Sequence, residues 1–237
     1  MAGAHSSLIL AKLNTPHIAA SMQIQEEQLT IADTARDYFH INRAAPWSPF
    51  EMWREGQEID IGGESNPYFK FFETQRKEYS VNTESGSIMV PAAKFVGSVA
   101  RGEINSPHVA DIASEVIRHF VAYVRELIWE DIRKQEFPHL PSRQRCIWLI
   151  LEREGVRFWL ERLGLEGQSF QIARVRLQGR LHTGSDEHLL GDSEPMEMTL
   201  KRARQYWLGI HNDSATQEIL FEGRLRVMEF LSPEEFA

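Results

Sequence analysis

The sequence predicts an α+β fold, because strands stand on both sides of long helices without a repeating strand–helix order. In residues 106–136 apolar side chains recur at three- and four-residue steps, which is typical of an amphipathic helix. Residues 38–41 and 146–151 are short apolar runs bounded by turn residues, and this pattern predicts strands. A doubly wound sheet would instead need strands and helices in regular alternation.

The composition is typical of a soluble globular protein. The 237 residues are enough for one well-buried domain, or for one domain with a helical insert. The formal net charge is −8, so the chain as a whole does not attract nucleic acid or an anionic membrane. The single cysteine, Cys146, excludes an intrachain disulfide, fits a reducing compartment and is expected to be buried.

No apolar run reaches the length that a membrane span needs. Polar residues interrupt the apolar residues of segment 1–22, which makes that segment a poor secretory signal. We therefore expect a cytoplasmic protein in which residues 1–30 form an N-terminal arm and residues 31–237 form a single domain.

The first half of this domain is predicted to hold short elements before the long helix. Residues 55–63 alternate apolar and acidic positions and predict a short strand or a turn, and residues 66–72 predict part of a helix. The polar residues 80–87 predict a loop. The long helix is expected to follow a capping serine with Pro107 as its first helical residue, and to end before Pro138.

The second half is predicted to mix helices and strands. The predicted elements are, in chain order, a helix over 154–163 closed by Gly164, a half-buried strand around 173–177, a polar loop over 182–194, a helix over 196–208 stopped by Gly209, and a pair of strands over 218–230 joined at Gly223.

Glu218 is the candidate acidic residue of this last segment. It stands immediately before Ile-Leu-Phe, at the mouth of an apolar strand, where a carboxylate can reach from a sheet edge into a cleft. The alternative interpretation is a surface glutamate at a strand start. Glu222 is the rival acid, and because Gly223 follows it directly, it is predicted to be a turn residue.

Three blocks in this order resemble the ADP-ribosyltransferase-like superfamily, and within it a little-characterised bacterial family. The first block is Tyr-Phe-His-Ile-Asn-Arg at 38–43, with a glycine before an apolar residue in 56–59. The second is Phe-Pro-His-Leu-Pro-Ser-Arg at 137–143, which leads into an apolar strand. The third is Tyr-Trp at 206–207, followed by Glu-Ile-Leu at 218–220.

The resemblance implies a split β-sheet core with a long helical insert near residues 106–136, and it implies NAD as the substrate. Cleavage of the N-glycosidic bond of NAD passes through an oxocarbenium-like ribose, whose positive charge a nearby carboxylate stabilises. On this interpretation Glu218 is the catalytic acid.

The resemblance also implies three NAD-binding residues. His40 can donate from one ring nitrogen and accept at the other, which suits a ribose or a diphosphate, although a histidine beside aromatics is also typical of a core. Ser142 is expected to orient the nicotinamide-side ribose or to cap the turn before the strand. Arg143 is expected to pair with the diphosphate in a forked geometry, or to be a solvated charge.

The macromolecular acceptor is left open, with a preference for RNA or DNA over protein. In the superfamily a Glu or Gln two positions before the catalytic Glu often marks a protein acceptor, and here Thr216 occupies that position. A local basic surface for nucleic acid is one interpretation, and solvated helix faces are the other, for Arg143, Arg145, Arg153, Arg157, Arg162, Lys201, Arg202 and Arg204.

Small free-standing members of the superfamily commonly serve as toxins or in defence against phage, held in check by an antitoxin. The resemblance therefore implies such a role and an inhibitory protein partner. An NAD glycohydrolase with the same site and a non-catalytic interaction module are the alternatives. The sequence has no Gly-x-Gly-x-x-Gly, phosphate-loop, His-Glu-x-x-His or Gly-x-Ser-x-Gly signature, and no metal is expected.

Overall fold

The computed structural model describes residues 36–45, 48, 51–189, 191–212 and 217–236. The N-terminal arm predicted at residues 1–30 and the position of Thr216 lie outside these ranges. In the described part of the chain, no helix is long and apolar enough to cross a membrane.

The described chain mixes helices with antiparallel strands, which confirms the predicted α+β class. The strands are β1 (Tyr38–Arg43), β2 (Glu58–Ile61), β3 (Glu78–Thr83), β4 (Gly86–Pro91), β5 (Ile147–Leu151), β6 (Phe170–Ser185) and β7 (Gln217–Leu231). The helices are α1 (Pro67–Thr74), α2 (Ala92–Ala100), α3 (Val109–Glu136), α4 (Arg153–Leu163) and α5 (Met196–Trp207), with 3-10 helices at Asp186–His188 and Pro233–Phe236.

Four strands close on themselves, because β7 pairs with β5, β5 with β1, β1 with β6, and β6 again with β7. Strand β2 joins the edge of β7 next to β5, and β3 and β4 form a separate hairpin. The pairing of β1 with β5 covers only Tyr38 and Phe39, so the two strands separate from His40 onward. This separation is where the cavity described below lies.

Alternation along the strands divides the apolar residues between two sides of the closed sheet. Tyr38, Leu149, Val175 and Phe221 belong to one buried cluster to which all four closing strands contribute. On the other side of β7, Leu220 packs against α3 and α5, where Trp129, Tyr206 and Trp207 are fully buried. Helix α4 and the C-terminal 3-10 helix cover a third cluster that includes Val156 and Phe236.

Several predicted elements are confirmed. Helix α4 ends at Gly164 in the left-handed conformation, as the glycine predicted, and α5 ends just before Gly209. Helix α1 begins at Pro67 with the Asn66 side chain accepting a hydrogen bond from the Phe69 N–H. Cys146 is buried, as its apolar context predicted.

Three predictions about boundaries are wrong. The long helix begins at Val109 rather than with Pro107 in its first turn, and His108 supplies no side-chain cap. The predicted loop at 80–87 is the hairpin β3–β4. The first residues of the predicted loop at 182–194 belong to β6. This strand continues to Ser185 because its C-terminal half pairs with β7 up to that residue.

The predicted strand pair at 218–230 is also wrong, since β7 is one continuous strand through Gly223. Gly223 has φ of 139° and pairs with Gly179 of β6. A Cβ atom on Gly223 would lie 2.4 Å from the carbonyl oxygen of Gln178. The glycine therefore permits a close approach of two backbones rather than a turn.

Candidate functional site

A cavity of about 930 Å³ lies against β1, β5 and the segment that joins β2 to α1. Of the four residues predicted for the site, His40, Arg143 and Glu218 line it, and Ser142 does not. Three separate parts of the chain therefore meet at one cavity.

His40 lies on β1 just past its last pair with β5. Its Nδ1 is 2.9 Å from the carbonyl oxygen of Trp148, so Nδ1–H donates and Nε2 is left as an acceptor. Nε2 has no hydrogen-bond partner among the described residues, and the ring stacks on Trp53 with centroids 4.8 Å apart. Burial lowers the pKa of His40 to about 4, so the imidazole is neutral at pH 7.

Glu218 lies near the start of β7, where it pairs with Gly184 of β6. Its Oε1 accepts hydrogen bonds from the Tyr206 hydroxyl, at 2.5 Å, and from the Arg143 guanidinium. Its Oε2 has no hydrogen-bond partner among the described residues, and the side chain lines the cavity. The carboxylate is thus held through one oxygen, and the other oxygen remains to meet a ligand.

Arg143 holds Glu218 from behind and is itself held by α3. It is only 3% exposed, and it donates to Glu126 at 3.0 and 3.2 Å from Nε and one terminal nitrogen. Its other terminal nitrogen donates to Glu218 and to the Tyr206 hydroxyl. Burial opposes the charged form, but the two carboxylates outweigh it and raise the pKa of Arg143 well above its usual value.

These contacts use four of the five N–H donors that a guanidinium has. Arg143 is therefore part of the wall that fixes Glu218. The diphosphate contact predicted for Arg143 stays a prediction, and the structure gives this side chain carboxylate partners within the protein.

Ser142 ties α3 to β7 behind the cavity. Its hydroxyl donates to Glu130 at 2.8 Å, and its backbone N–H donates to Glu222 Oε1 at 2.9 Å. Arg133 holds Glu130 through two hydrogen bonds of 2.8 and 3.0 Å. Ser142 is only 1% exposed, and its hydroxyl donates to Glu130 rather than into the cavity. The ribose contact expected for Ser142 stays a prediction.

Glu222 is not a turn residue, so that prediction is wrong. It is buried within β7, between the residues that pair with β5 and those that pair with β2. Besides Ser142 it accepts a hydrogen bond from Arg180, and Arg145 Nε lies 3.7 Å away. The strand continues past Glu222 because Gly223 packs on Gly179 instead of reversing the chain.

Aromatic and basic residues complete the lining. Tyr68 and Trp148 line the cavity, with ring centroids 5.9 Å apart and nearly perpendicular planes. Phe69 is buried in the protein. The side chain of Arg145 is 44% exposed and lies at the cavity.

The predicted basic surface is largely neutralised. Six of its eight members lie within 4.0 Å of a carboxylate, and the partners outside the site are Glu235, Asp186, Glu194 and Glu136. Lys201 is exposed on α5 and has no carboxylate within 4.0 Å among the described residues. The structure therefore favours solvated, paired side chains over a basic patch.

Two residues of the site had no role in the sequence interpretation. Tyr206 belonged to the third block of the family resemblance but was given no chemical role. The feature that could have indicated one is its hydroxyl on the buried face of α5, beside Ala203 and Trp207. Trp53 lies outside any regular element, and no spacing pattern connects it to His40.

The fold and the site together define a class of protein. It is an α+β protein in which a neutral histidine and a fixed carboxylate line one cavity. The chain belongs to the family described as "Protein of unknown function (DUF2441)", whose model matches residues 38–233. No curated protein matches the sequence. The match begins with β1 and ends just after β7, so it contains His40, Arg143 and Glu218.

Proposed function

We propose that this protein is an NAD-dependent mono-ADP-ribosyltransferase acting on a macromolecule. The observation that carries the proposal is the shared cavity of His40 and Glu218, in which each residue has one anchored atom and one atom without a partner among the described residues. Its volume, about 930 Å³, falls within the range of about 300–1,000 Å³ that is usual for ligand sites. The sequence resemblance supplies NAD as the ligand.

In the proposed reaction the bond between ribose C1′ and the nicotinamide nitrogen breaks, and nicotinamide leaves with the electron pair of that bond. C1′ then forms a bond to an oxygen or nitrogen of the acceptor, which loses a proton. Glu218 Oε2 stabilises the positive charge that develops on the ribose and accepts the acceptor's proton.

His40 is proposed to bind a ribose hydroxyl through Nε2. Since Nδ1 donates to the Trp148 carbonyl, the tautomer leaves Nε2 as an acceptor for an O–H group. Trp53 fixes the plane of the imidazole by stacking on it.

The diphosphate of NAD needs cations that reach the cavity. Arg145 meets this requirement because its side chain is partly exposed there, and its only ion pair among the described residues spans 3.7 Å. Arg143 is proposed to act on Glu218, which it contacts directly, rather than on the diphosphate.

For the acceptor, we propose RNA or DNA over a protein side chain. The support is the threonine at position 216, where a protein-directed enzyme often has Glu or Gln. The paired surface arginines add nothing to this choice. A role as a toxin or defence effector, restrained by an inhibitory protein, is part of the same proposal.

The test is incubation of the protein with adenylate-labelled NAD and separate pools of RNA, DNA and cell protein. The matched variants are Glu218→Gln, which keeps the size of the side chain, and Glu84→Gln, which removes an exposed glutamate of the β3–β4 turn. We expect label in a nucleic-acid pool with the wild type and with Glu84→Gln, and none with Glu218→Gln. Label in the protein pool alone would contradict the proposed nucleic-acid acceptor. Free ADP-ribose without any labelled pool would identify a glycohydrolase.

A further inference from the structure

Helix α3 presents an apolar stripe to solvent on the side away from the cavity. The stripe is Ile117, Phe120, Val124 and Leu127, with 58%, 52%, 47% and 43% of each residue exposed. The opposite side of the same helix is buried against the protein and carries Glu126. Single exposed apolar residues are ordinary, but a continuous row of them marks an interaction surface.

The spacing of the stripe matches that of a helix that pairs with another helix. Its members follow one another at steps of three, four and three residues, which is the a/d pattern of a helix that packs along a second helix. The same steps continue to Ala113 and Ala110 at one end, and to Asp131 and Lys134 at the other. From Ala110 to Lys134 the row is roughly 36 Å long at 1.5 Å per residue.

We propose that the stripe is covered by α3 of a second copy of this chain, in an antiparallel pair whose two-fold axis passes between the two helices at the height of residue 122. In this register Phe120 packs beside Val124 of the partner subunit, and Ile117 packs beside Leu127 of the partner subunit. Each layer then joins one a residue to one d residue, and the two-fold axis makes the surface complementary to itself.

Charges select the antiparallel arrangement. In a parallel pair, Asp131 would meet the partner's Asp131, and Lys134 would meet the partner's Lys134, which are like-charge contacts at core positions. In the antiparallel pair, Asp131 lies opposite Ala113 of the partner subunit and Lys134 lies opposite Ala110 of the partner subunit. Alanine leaves room there for the charged groups to reach water.

The proposed interface and the proposed active site use opposite sides of α3. No stripe residue lines the cavity, whereas Glu126 on the buried side holds Arg143. The dimer therefore stands or falls independently of the activity proposed for Glu218.

The first test is the mass of the full chain in solution, measured by sedimentation velocity over a concentration series. We expect a species of twice 27.4 kDa at high concentration. Phe120→Glu should weaken the dimer by at least about 30-fold, as the loss of a central apolar anchor does. Arg118→Glu, an exposed neighbour on α3 outside the stripe, should leave it intact. A monomer at every concentration, or equal weakening by both variants, would overturn the proposal.

The second test fixes the orientation with Phe120→Cys and Val124→Cys. The native Cys146 is 1% exposed and does not compete for cross-linking. An antiparallel pair should form a disulfide mainly when the two variants are mixed, because only then do the cysteines share a layer within the Cα separation that a disulfide allows. Cross-linking of each variant with itself, without a gain on mixing, would refute this register.

Discussion

Glu218 has two carboxylate oxygens in different surroundings, and this difference is the basis of its proposed role. Oε1 is held by Tyr206 from α5 and by Arg143 from the turn before β5. Oε2 is without a hydrogen-bond partner among the described residues. A carboxylate fixed in this way meets a developing positive charge without first reorienting, which is the condition for electrostatic stabilisation of a transition state.

We predict that Tyr206→Phe lowers kcat by about 10- to 100-fold. The variant removes one hydrogen bond to a charged group, which is worth about 1.5–3 kcal/mol, and each 1.4 kcal/mol in the barrier changes the rate about tenfold. The KM for NAD should change little, because Tyr206 does not line the cavity. Steady-state kinetics measure both constants.

Tyr79→Phe is the matched control. It also removes a hydroxyl that donates to a glutamate, Glu115, but neither residue lines the cavity. Equal losses of kcat in the two variants, or a loss confined to KM in Tyr206→Phe, would contradict the positioning role.

Two histidines with lowered pKa values, His40 and His182, are predicted to make the protein sensitive to acid. Burial lowers the pKa of His40 and of His182 to about 4, whereas an unfolded histidine titrates near 6.5. Between these values the unfolded chain binds more protons, so stability that is complete above about pH 6.5 falls as the pH drops toward 4. Each histidine contributes a slope of up to about 1.4 kcal/mol per pH unit.

Urea unfolding at a series of pH values measures this dependence. We expect the slope between pH 6.5 and pH 4 to become shallower in His40→Gln and in His182→Gln. His211→Gln, at an exposed position, is the control. Unchanged slopes in both His40→Gln and His182→Gln would show that other groups set the acid sensitivity.

At the scale of single residues, the sequence predicted part of the site. His40, Arg143 and Glu218 were candidates, and they line one cavity. The partners of Arg143 were beyond reach, because a sequence does not reveal that a guanidinium is enclosed by carboxylates from α3 and β7. The same reason explains the wrong prediction for Glu222, whose partners come from two distant parts of the chain, the turn before β5 and strand β6.

Among the elements, β6 and β7 show why glycine misled the prediction. Gly223 within a run of strand residues is the sequence signal of a turn or of a close approach, and the two cannot be distinguished without knowing the paired strand. The paired residue is another glycine, Gly179, whose Cβ would lie 2.2 Å from the Glu222 carbonyl oxygen. The loop predictions at 80–87 and 182–194 failed because polar residues also form strands when a partner strand is present.

We predict that Gly184→Ala destabilises the protein by about 1–3 kcal/mol, the usual cost of overpacking, and also lowers activity. A Cβ at this position would lie 2.4 Å from the ring of Tyr206, which is fully buried. The displaced ring would carry its hydroxyl away from Glu218. Thermal unfolding and kcat measure the two effects.

Gly191→Ala is the control for this variant, because its Cβ would have no atom within 4 Å. A Gly184→Ala protein with wild-type kcat and stability would show that α5 adjusts freely over β6.

At the scale of the whole molecule, the site is formed by residues of both the closed sheet and the helical layer. The closed sheet supplies His40 and Glu218, and the layer of α3 and α5 supplies Glu126 and Tyr206. The long helix that the sequence predicted as an insert therefore fixes the site from behind. The α+β class followed from element order alone, whereas the closure of the sheet depended on long-range pairing that no local pattern reveals.

NAD is predicted to stabilise the folded protein. At a concentration of about 100 times Kd, a ligand that binds only the native state adds about 2.7 kcal/mol. For a chain of this size this corresponds to a rise in Tm of about 5–10 °C. His40→Ala should reduce the shift and His211→Ala should not. Identical shifts in both variants would place NAD away from His40.

The central claim is that Glu218 promotes cleavage of the glycosidic bond of NAD, and nicotinamide release tests it most directly, because transfer and hydrolysis both produce nicotinamide. We predict release by the wild type in the presence of a cell extract, unchanged release by Glu84→Gln, and a fall of at least about 100-fold with folded Glu218→Gln, equal to about 2.7 kcal/mol in the barrier. No nicotinamide from the folded wild type with any acceptor pool, or undiminished release by Glu218→Gln, would contradict the claim.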